Sequence, residues 1–388
     1  MKNNTVLPGT PTENKKIYYL ALLSAFFIPL KLSICLVFLI PLVLIWLYRN
    51  ISNFPTILSL QQNSHVKPLF VFILVAVYSC IFGIDIQNSL LNFPSLIFFS
   101  FIPFAVSNAL KSKNDDLRLV SALLCGQTVA GLQSIIELFF PGNGKQIFLG
   151  KVTESGQIAL TFLIALGLIF FFNKNQNFKN RCKVAALFSM LILGLALLIN
   201  LKRGPWLGVI AGSAVFLSII SKRILLTFFA VVLAIFVFVA PVRERVLVSY
   251  EHFSITGGRE AIWDIGSELA VRYPLGIGYD NSYVLRKFST EIPQELRHFH
   301  NNILNILVET GWLGLFVYLW WILSILRSSW TDYANSFRQI LSRALGCAVV
   351  AWQAAGLVEY NFGDSEIFIL LMIILGVLSH LKMNSNES

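Results

Sequence analysis

Two histidines stand one residue apart in His298-Phe-His-Asn-Asn-Ile-Leu-Asn-Ile-Leu-Val-Glu-Thr-Gly-Trp-Leu-Gly314, where a polar segment meets a long apolar run. Imidazole titrates near neutral pH and is the usual general base, so His298 and His300 are both candidates to take a proton from a substrate. A zinc site is the competing chemistry, but only Asp280 and Glu295 could supplement the histidines, at unconvincing spacing. Asn200-Leu-Lys-Arg-Gly-Pro-Trp206 joins two apolar runs. Arginine binds phosphate bidentately and keeps its charge, so Arg203 reads as an anion contact. Lys202 reads as a further contact or as a side chain snorkelling to lipid headgroups. In Thr256-Gly-Gly-Arg-Glu-Ala-Ile-Trp263 the glycines permit a sharp turn. Arg259 then falls in the first turn of a helix, where anions are already favoured; the alternative is a solvated charge paired with Glu260 or Asp264. Glu359-Tyr-Asn-Phe-Gly-Asp-Ser-Glu366 puts carboxylates at a boundary between apolar runs, as a functional group or as a hydrated turn. Pro274-Leu-Gly-Ile-Gly-Tyr279 has no strand before it, so it shapes a loop and binds no nucleotide.

The elements that position these groups follow from composition. The 388 residues are 56% hydrophobic and 13% charged, with 33 Phe, and the mean hydropathy is +0.71. A soluble domain is roughly 25% charged, so a soluble enzyme, a disordered chain and a disulfide-stapled secreted domain are all excluded. Cys35, Cys80, Cys125, Cys182 and Cys347 are scattered and read as small buried hydrophobes. Spanning a membrane takes about 20 apolar residues in a helix, because lipid cannot satisfy an open backbone. Such runs fall near 17–30, 33–48, 68–84, 89–108, 117–140, 156–173, 182–200, 204–221, 223–241, 301–326, 338–359 and 364–382. The expected fold class is all-α, a polytopic integral membrane protein with about 12 transmembrane helices and one long external loop subdomain. The first two runs, joined by Lys31-Leu32, form either a hairpin or one broken segment.

Lysine and arginine set the orientation. With the N-terminus cytoplasmic, 18 of the 30 basic residues fall inside, and an even helix count puts both termini there. The expected organisation is a cytoplasmic tail at 1–16, helices over 17–241, an external subdomain at 242–300, helices over 301–382 and a cytoplasmic tail at 383–388. No removable signal peptide is expected. The 242–300 segment is too polar to span, carries a short helix over Glu260 to Val271, and holds seven basic against eight acidic residues. It is therefore not a diffuse basic patch, and nucleic acid is not an expected partner. The mid-span regions read as almost charge-free, with ionisable groups gathered at one external face. That placement disfavours a secondary transporter, whose ionisable groups sit at the midplane.

His300-Asn301, nine residues, then Gly311-Trp-Leu-Gly314 resembles the signature of bacterial O-antigen ligases, His-[Asn/Ser/Gln]-x9-Gly-x-x-[Gly/Thr/Tyr]. Arg203 and Arg259, in their local sequences, resemble the two essential arginine positions of that superfamily, and the order of spans and long external loop is similar too. The resemblance covers essentially the whole chain, with specific motifs only in its second half. It implies a metal- and nucleotide-independent, inverting transfer of a glycan from undecaprenyl diphosphate to lipid A–core oligosaccharide, at the periplasmic face of the inner membrane. On that reading Arg203 and Arg259 clamp the diphosphate and His300 is the base. Lys202, His298, Asn301 and Glu359 contact substrate, and no cofactor is needed. O-antigen polymerases and protein O-oligosaccharyltransferases share the motifs; the short tail after the last span speaks against the latter.

Overall fold

The computed structural model describes residues 11–50, 65–140, 151–174, 180–254, 258–288, 296–331 and 336–383. Among these the chain forms helices and no strand. In order they are α1 (Pro11–Phe27), α2 (Leu32–Asn50), α3 (Val66–Phe82), α4 (Ile86–Ser100), α5 (Ile102–Ala109), α6 (Lys113–Phe139), α7 (Lys151–Lys174) and α8 (Asn180–Asn200). Then follow α9 (Arg203–Ile220), α10 (Lys222–Phe238), α11 (Ala240–Ser254), α12 (Arg259–Arg272), α13 (Asn302–Ser329), α14 (Ser336–Ala355) and α15 (Ser365–Met383). A 3-10 turn covers Ser282–Lys287.

Every expected apolar run is helical, but among the described residues length and apolarity qualify eight segments as membrane spans, or nine if α10 and α11 are one span bent by 86°. α1 and α3 reach only 17 residues each, and α14 opens on Ser336-Phe-Arg-Gln and carries Arg343. α1 and α2 pack side by side, so the first two runs form a hairpin. α11 starts at Ala240, ahead of the expected loop boundary, and the expected loop helix is α12.

Helix α15 is the central post, buried from Ile367 to Leu381. α9 lies against α14 and α7. Gly204, Gly208 and Gly212 recur every four residues on α9, and a Cβ at Gly208 or Gly212 would crowd the Ala351 or Cys347 carbonyl. Small residues at this spacing let helices approach closely in lipid, and this contact brings the start of α9 under the end of α14. α13 breaks at Gly311 (φ 71°). The 274–278 turn fills the break: the Ile277 and Gly278 N–H groups donate to the Val308 and Glu309 carbonyls at 2.9 and 3.0 Å, and Trp312 N–H donates to the Pro274 carbonyl at 3.1 Å. Gly276 (φ +94°) and Gly311 interlock, since a Cβ on either would collide with the other segment's backbone.

Two expectations need correction. Cys35, Cys80 and Cys347 are buried, but Cys125 and Cys182 are exposed. Ionisable groups also do not gather at one end alone. Far from the histidine motif, His380 Nδ1 lies 2.7 Å from Asp116 Oδ1 with both side chains buried. His65 Nε2 is 3.0 Å from Ser379 Oγ beside them. Hydropathy does not reveal them as a cluster because they come from three separate parts of the chain, at 65, 116 and 379–380.

Candidate functional site

The two histidines are separated by an anchor. Phe299 is fully buried, its N–H donates to Asn305 Oδ1 (3.2 Å), and its carbonyl accepts from Trp263 Nε1 (2.9 Å). With Phe299 pinned, His298 and His300 are turned toward one cavity. His300 has φ +50°, a left-handed conformation that non-glycine residues adopt mainly when their surroundings force it. Its N–H donates to His298 Nδ1 at 3.3 Å, which leaves the His298 proton on Nε2. The rings meet edge to face, with centroids 4.4 Å apart. The two are therefore not equivalent. His298 has one ring nitrogen held by the backbone, whereas His300 Nδ1 is buried without a hydrogen bond and looks at Glu359 Oε2, 3.9 Å away.

Glu359 reaches this place through two asparagines. Asn302 N–H donates to the Gly356 carbonyl at 2.6 Å, Asn302 Nδ2 donates to Asn361 Oδ1 at 2.6 Å, and Asn302 Oδ1 accepts from Phe362 N–H at 3.1 Å. Asn301 caps α13 by accepting from Leu304 N–H (3.1 Å) and donates to the Leu357 carbonyl (3.1 Å). Expected among the substrate contacts, Asn301 engages both ends of its amide within the protein. Glu359 then lies over Gly204, where a Cβ would strike its Cγ, and its Oε1 is 3.7 Å from the Arg259 guanidinium. Arg259 is the first residue of α12, after Gly258, as the Gly-Gly-Arg sequence suggests.

These residues line two adjoining hollows. A polar cavity of about 380 Å³ is bordered by Lys202, Asp280, Arg297, His298, His300, Glu359, Tyr360 and Asp364, among others. Next to it a mainly apolar groove of about 440 Å³ is bordered by Arg203, Trp206, Leu207, Ile210, Val246, Phe253, Arg259 and Val358. Lys202 and Arg203 thus face different hollows, and Glu359 stands at their junction. Burial pushes the His300 imidazole down to about 3, helped by the His298 and Arg259 charges. Burial also lowers His298. It raises the Glu359 carboxyl, against the pull of Arg259, Lys202, Arg203 and Arg245, and raises Asp280 against Arg297. At neutral pH His300 is an uncharged, proton-accepting base beside a cluster of cations.

All seven residues expected at the site, Lys202, Arg203, Arg259, His298, His300, Asn301 and Glu359, meet in this region. Glu295 lies outside the described residues, and among those described no group of three His, Cys, Asp or Glu is placed to hold a metal. Sequence reasoning missed Asn302, Arg297 and Arg245. Asn302 follows a motif residue and was within reach; nothing near Arg245 marks it.

The described residues thus combine several apolar helices long enough to span a membrane with two arginines over an apolar groove and a histidine–glutamate pair at the adjoining polar cavity. Residues 188–319 match the family model for O-antigen ligase, in agreement with the motifs. This stretch contains Arg203, Arg259, His298, His300 and Asn301, whereas Glu359 comes from beyond it. A Rickettsia conorii protein provisionally named a polysaccharide ligase is 26% identical over 307 residues, spanning 73% of this chain and 71% of its own.

Proposed function

We propose that the protein is an O-antigen ligase, which transfers a glycan from undecaprenyl diphosphate to lipid A–core oligosaccharide at the periplasmic face of the inner membrane. In this reading about twelve helices cross the membrane and both termini are cytoplasmic. The observation that carries it is the pair of adjoining hollows. The apolar groove with Arg203 and Arg259 suits a diphosphate at the head of a long hydrocarbon, and the polar cavity with His300 suits a sugar acceptor.

The acceptor hydroxyl attacks the anomeric carbon while the bond from that carbon to the diphosphate oxygen breaks. Undecaprenyl diphosphate leaves with the electron pair, and its growing charge falls to Arg203 and Arg259. The hydroxyl proton passes to His300 Nε2. The imidazolium so formed then faces the Glu359 carboxylate through Nδ1, and the incoming diphosphate offsets the cations that disfavour it. One displacement inverts the anomeric centre, and the activated lipid supplies the energy without nucleotide or metal.

The test is the lipopolysaccharide gel profile of a deletion strain carrying wild type or His300→Ala. General-base loss costs about 10²–10⁴-fold, so His300→Ala should leave bare core, with long chains accumulating on the lipid carrier. Full-length O-antigen with His300→Ala would sink the base assignment. A deletion strain that still makes core plus one repeat unit would show a polymerase instead.

A further inference from the structure

Resting on that reading, we propose that Arg245, on α11, is a positioning residue that holds the Lys202-Arg203 corner in place. α8 ends at Asn200 and α9 begins at Arg203, so only Leu201 and Lys202 make the connection. Leu201 adopts φ 51°, a left-handed conformation at a residue whose Cβ disfavours it. The glycine that would relax this turn stands three positions later, at Gly204, inside α9. Something else therefore holds the corner.

Two side chains from outside α8 do so, by satisfying carbonyls at its C-terminal end. Trp206 Nε1 donates to the Leu197 carbonyl at 2.9 Å. Arg245 Nε donates to the Leu201 carbonyl at 3.2 Å. A cation at a helix C-terminus is favoured by the helix dipole, and the carbonyl it grips belongs to the left-handed residue itself. Lys202 caps α9 without any side-chain bond of its own, so the arginine two residues beyond Leu201 takes its place from this turn. Val246, the next residue on α11, walls the same groove as Arg203. The helix that borders the apolar groove is thereby fastened to the corner that carries the anion contact. Arg245 also adds a positive charge felt by Glu359, in keeping with its nearness to the site.

The experiment measures binding of undecaprenyl diphosphate to purified protein in nanodiscs, for wild type, Arg203→Gln, Arg245→Gln, Arg245→Lys and the Arg203→Gln/Arg245→Gln pair. A hydrogen bond from a charged donor corresponds to roughly a tenfold to hundredfold effect, so Arg245→Gln should weaken binding by that factor. Because Arg245 acts through Arg203, the double variant should bind no more than about twofold worse than Arg203→Gln alone. Arg245→Lys, which can still donate to the Leu201 carbonyl, should recover part of the loss. In turnover assays the donor KM should rise while the acceptor KM stays. Wild-type binding by Arg245→Gln, with Arg203→Gln weakened, overturns the inference and leaves the ligase reading standing. Losses that multiply in the double variant also overturn it, by making Arg245 a direct ligand. Wild-type binding by both single variants removes the diphosphate reading and this inference with it.

Discussion

His300 combines a left-handed backbone, a neutral ring and a carboxylate facing Nδ1, and each has a measurable consequence. Its imidazole is held near 3 when folded, against about 6.5 in an unfolded chain. The unfolded state therefore binds more protons between those values, and stability falls as pH drops from about 6.5 toward 3. Replacing His300 by Gln should flatten the acid side of a thermal-unfolding series in detergent across that window. For turnover, the acid limb of kcat/KM should lie below pH 6.5, because the base is still uncharged there. Arg259 is one of the charges that depress it, so the residual activity of Arg259→Gln should show an acid limb moved to higher pH. An unmoved limb would place the titrating base elsewhere. The residue types and the Gly-Gly-Arg turn singled out Arg203, Arg259 and His300 as candidates, and the fold brings them to two adjoining hollows. In the sequence only the motif resemblance, which begins at His300, separates it from His298; the physical difference depends on a backbone hydrogen bond and on a carboxylate 59 positions later in the chain.

Among elements, the apolar helices were legible because lipid demands them, but among the described residues eight or nine segments, not the expected twelve, have the length and apolarity of a span. The glycines of α9 repeat every four residues in plain view. The break in α13 was hidden: Glu309-Thr-Gly-Trp sits in a run that reads as continuous helix, and only the 274–278 turn lodged in it forces Gly311 to φ 71°. Gly311→Ala adds a left-handed alanine and a steric conflict with that turn, and should cost at least about 1–3 kcal/mol, read as a lower unfolding temperature in detergent. The loop carrying Glu359 depends on Asn302 in a similar way. Asn302→Leu keeps the branched side-chain shape but leaves Asn361 Oδ1 and Phe362 N–H without these partners, each worth about 1–3 kcal/mol when buried. Its folded fraction should also lose turnover, because Glu359 is no longer presented to His300. Full turnover in folded Asn302→Leu would mean that Glu359 keeps its place without Asn302, through the Asn301 bond to Leu357 and its contacts with Gly204 and Arg259.

For the molecule as a whole, with a net charge of +10, two polar poles stand out. One pole is the cationic site; the other is the buried His380–Asp116 contact, which ties the end of α15 to the start of α6. Arg338 is buried at the start of α14 and within electrostatic reach of Asp116. Removing one member of a buried charged group strands the others, at about 3–5 kcal/mol. Asp116→Ala should therefore lower the unfolding temperature sharply. Since α15 is buried along almost its whole length and Glu366 and Ile367 at its other end bond to Asp364 beside the polar cavity, the post also joins the two poles mechanically. If it serves only as a post, folded Asp116→Ala should keep wild-type kcat/KM at low temperature. A drop in kcat per folded molecule, with donor binding unchanged, would instead show that the far pole sets the geometry of the acceptor cavity, through a rigid helix that has no slack to absorb a shift.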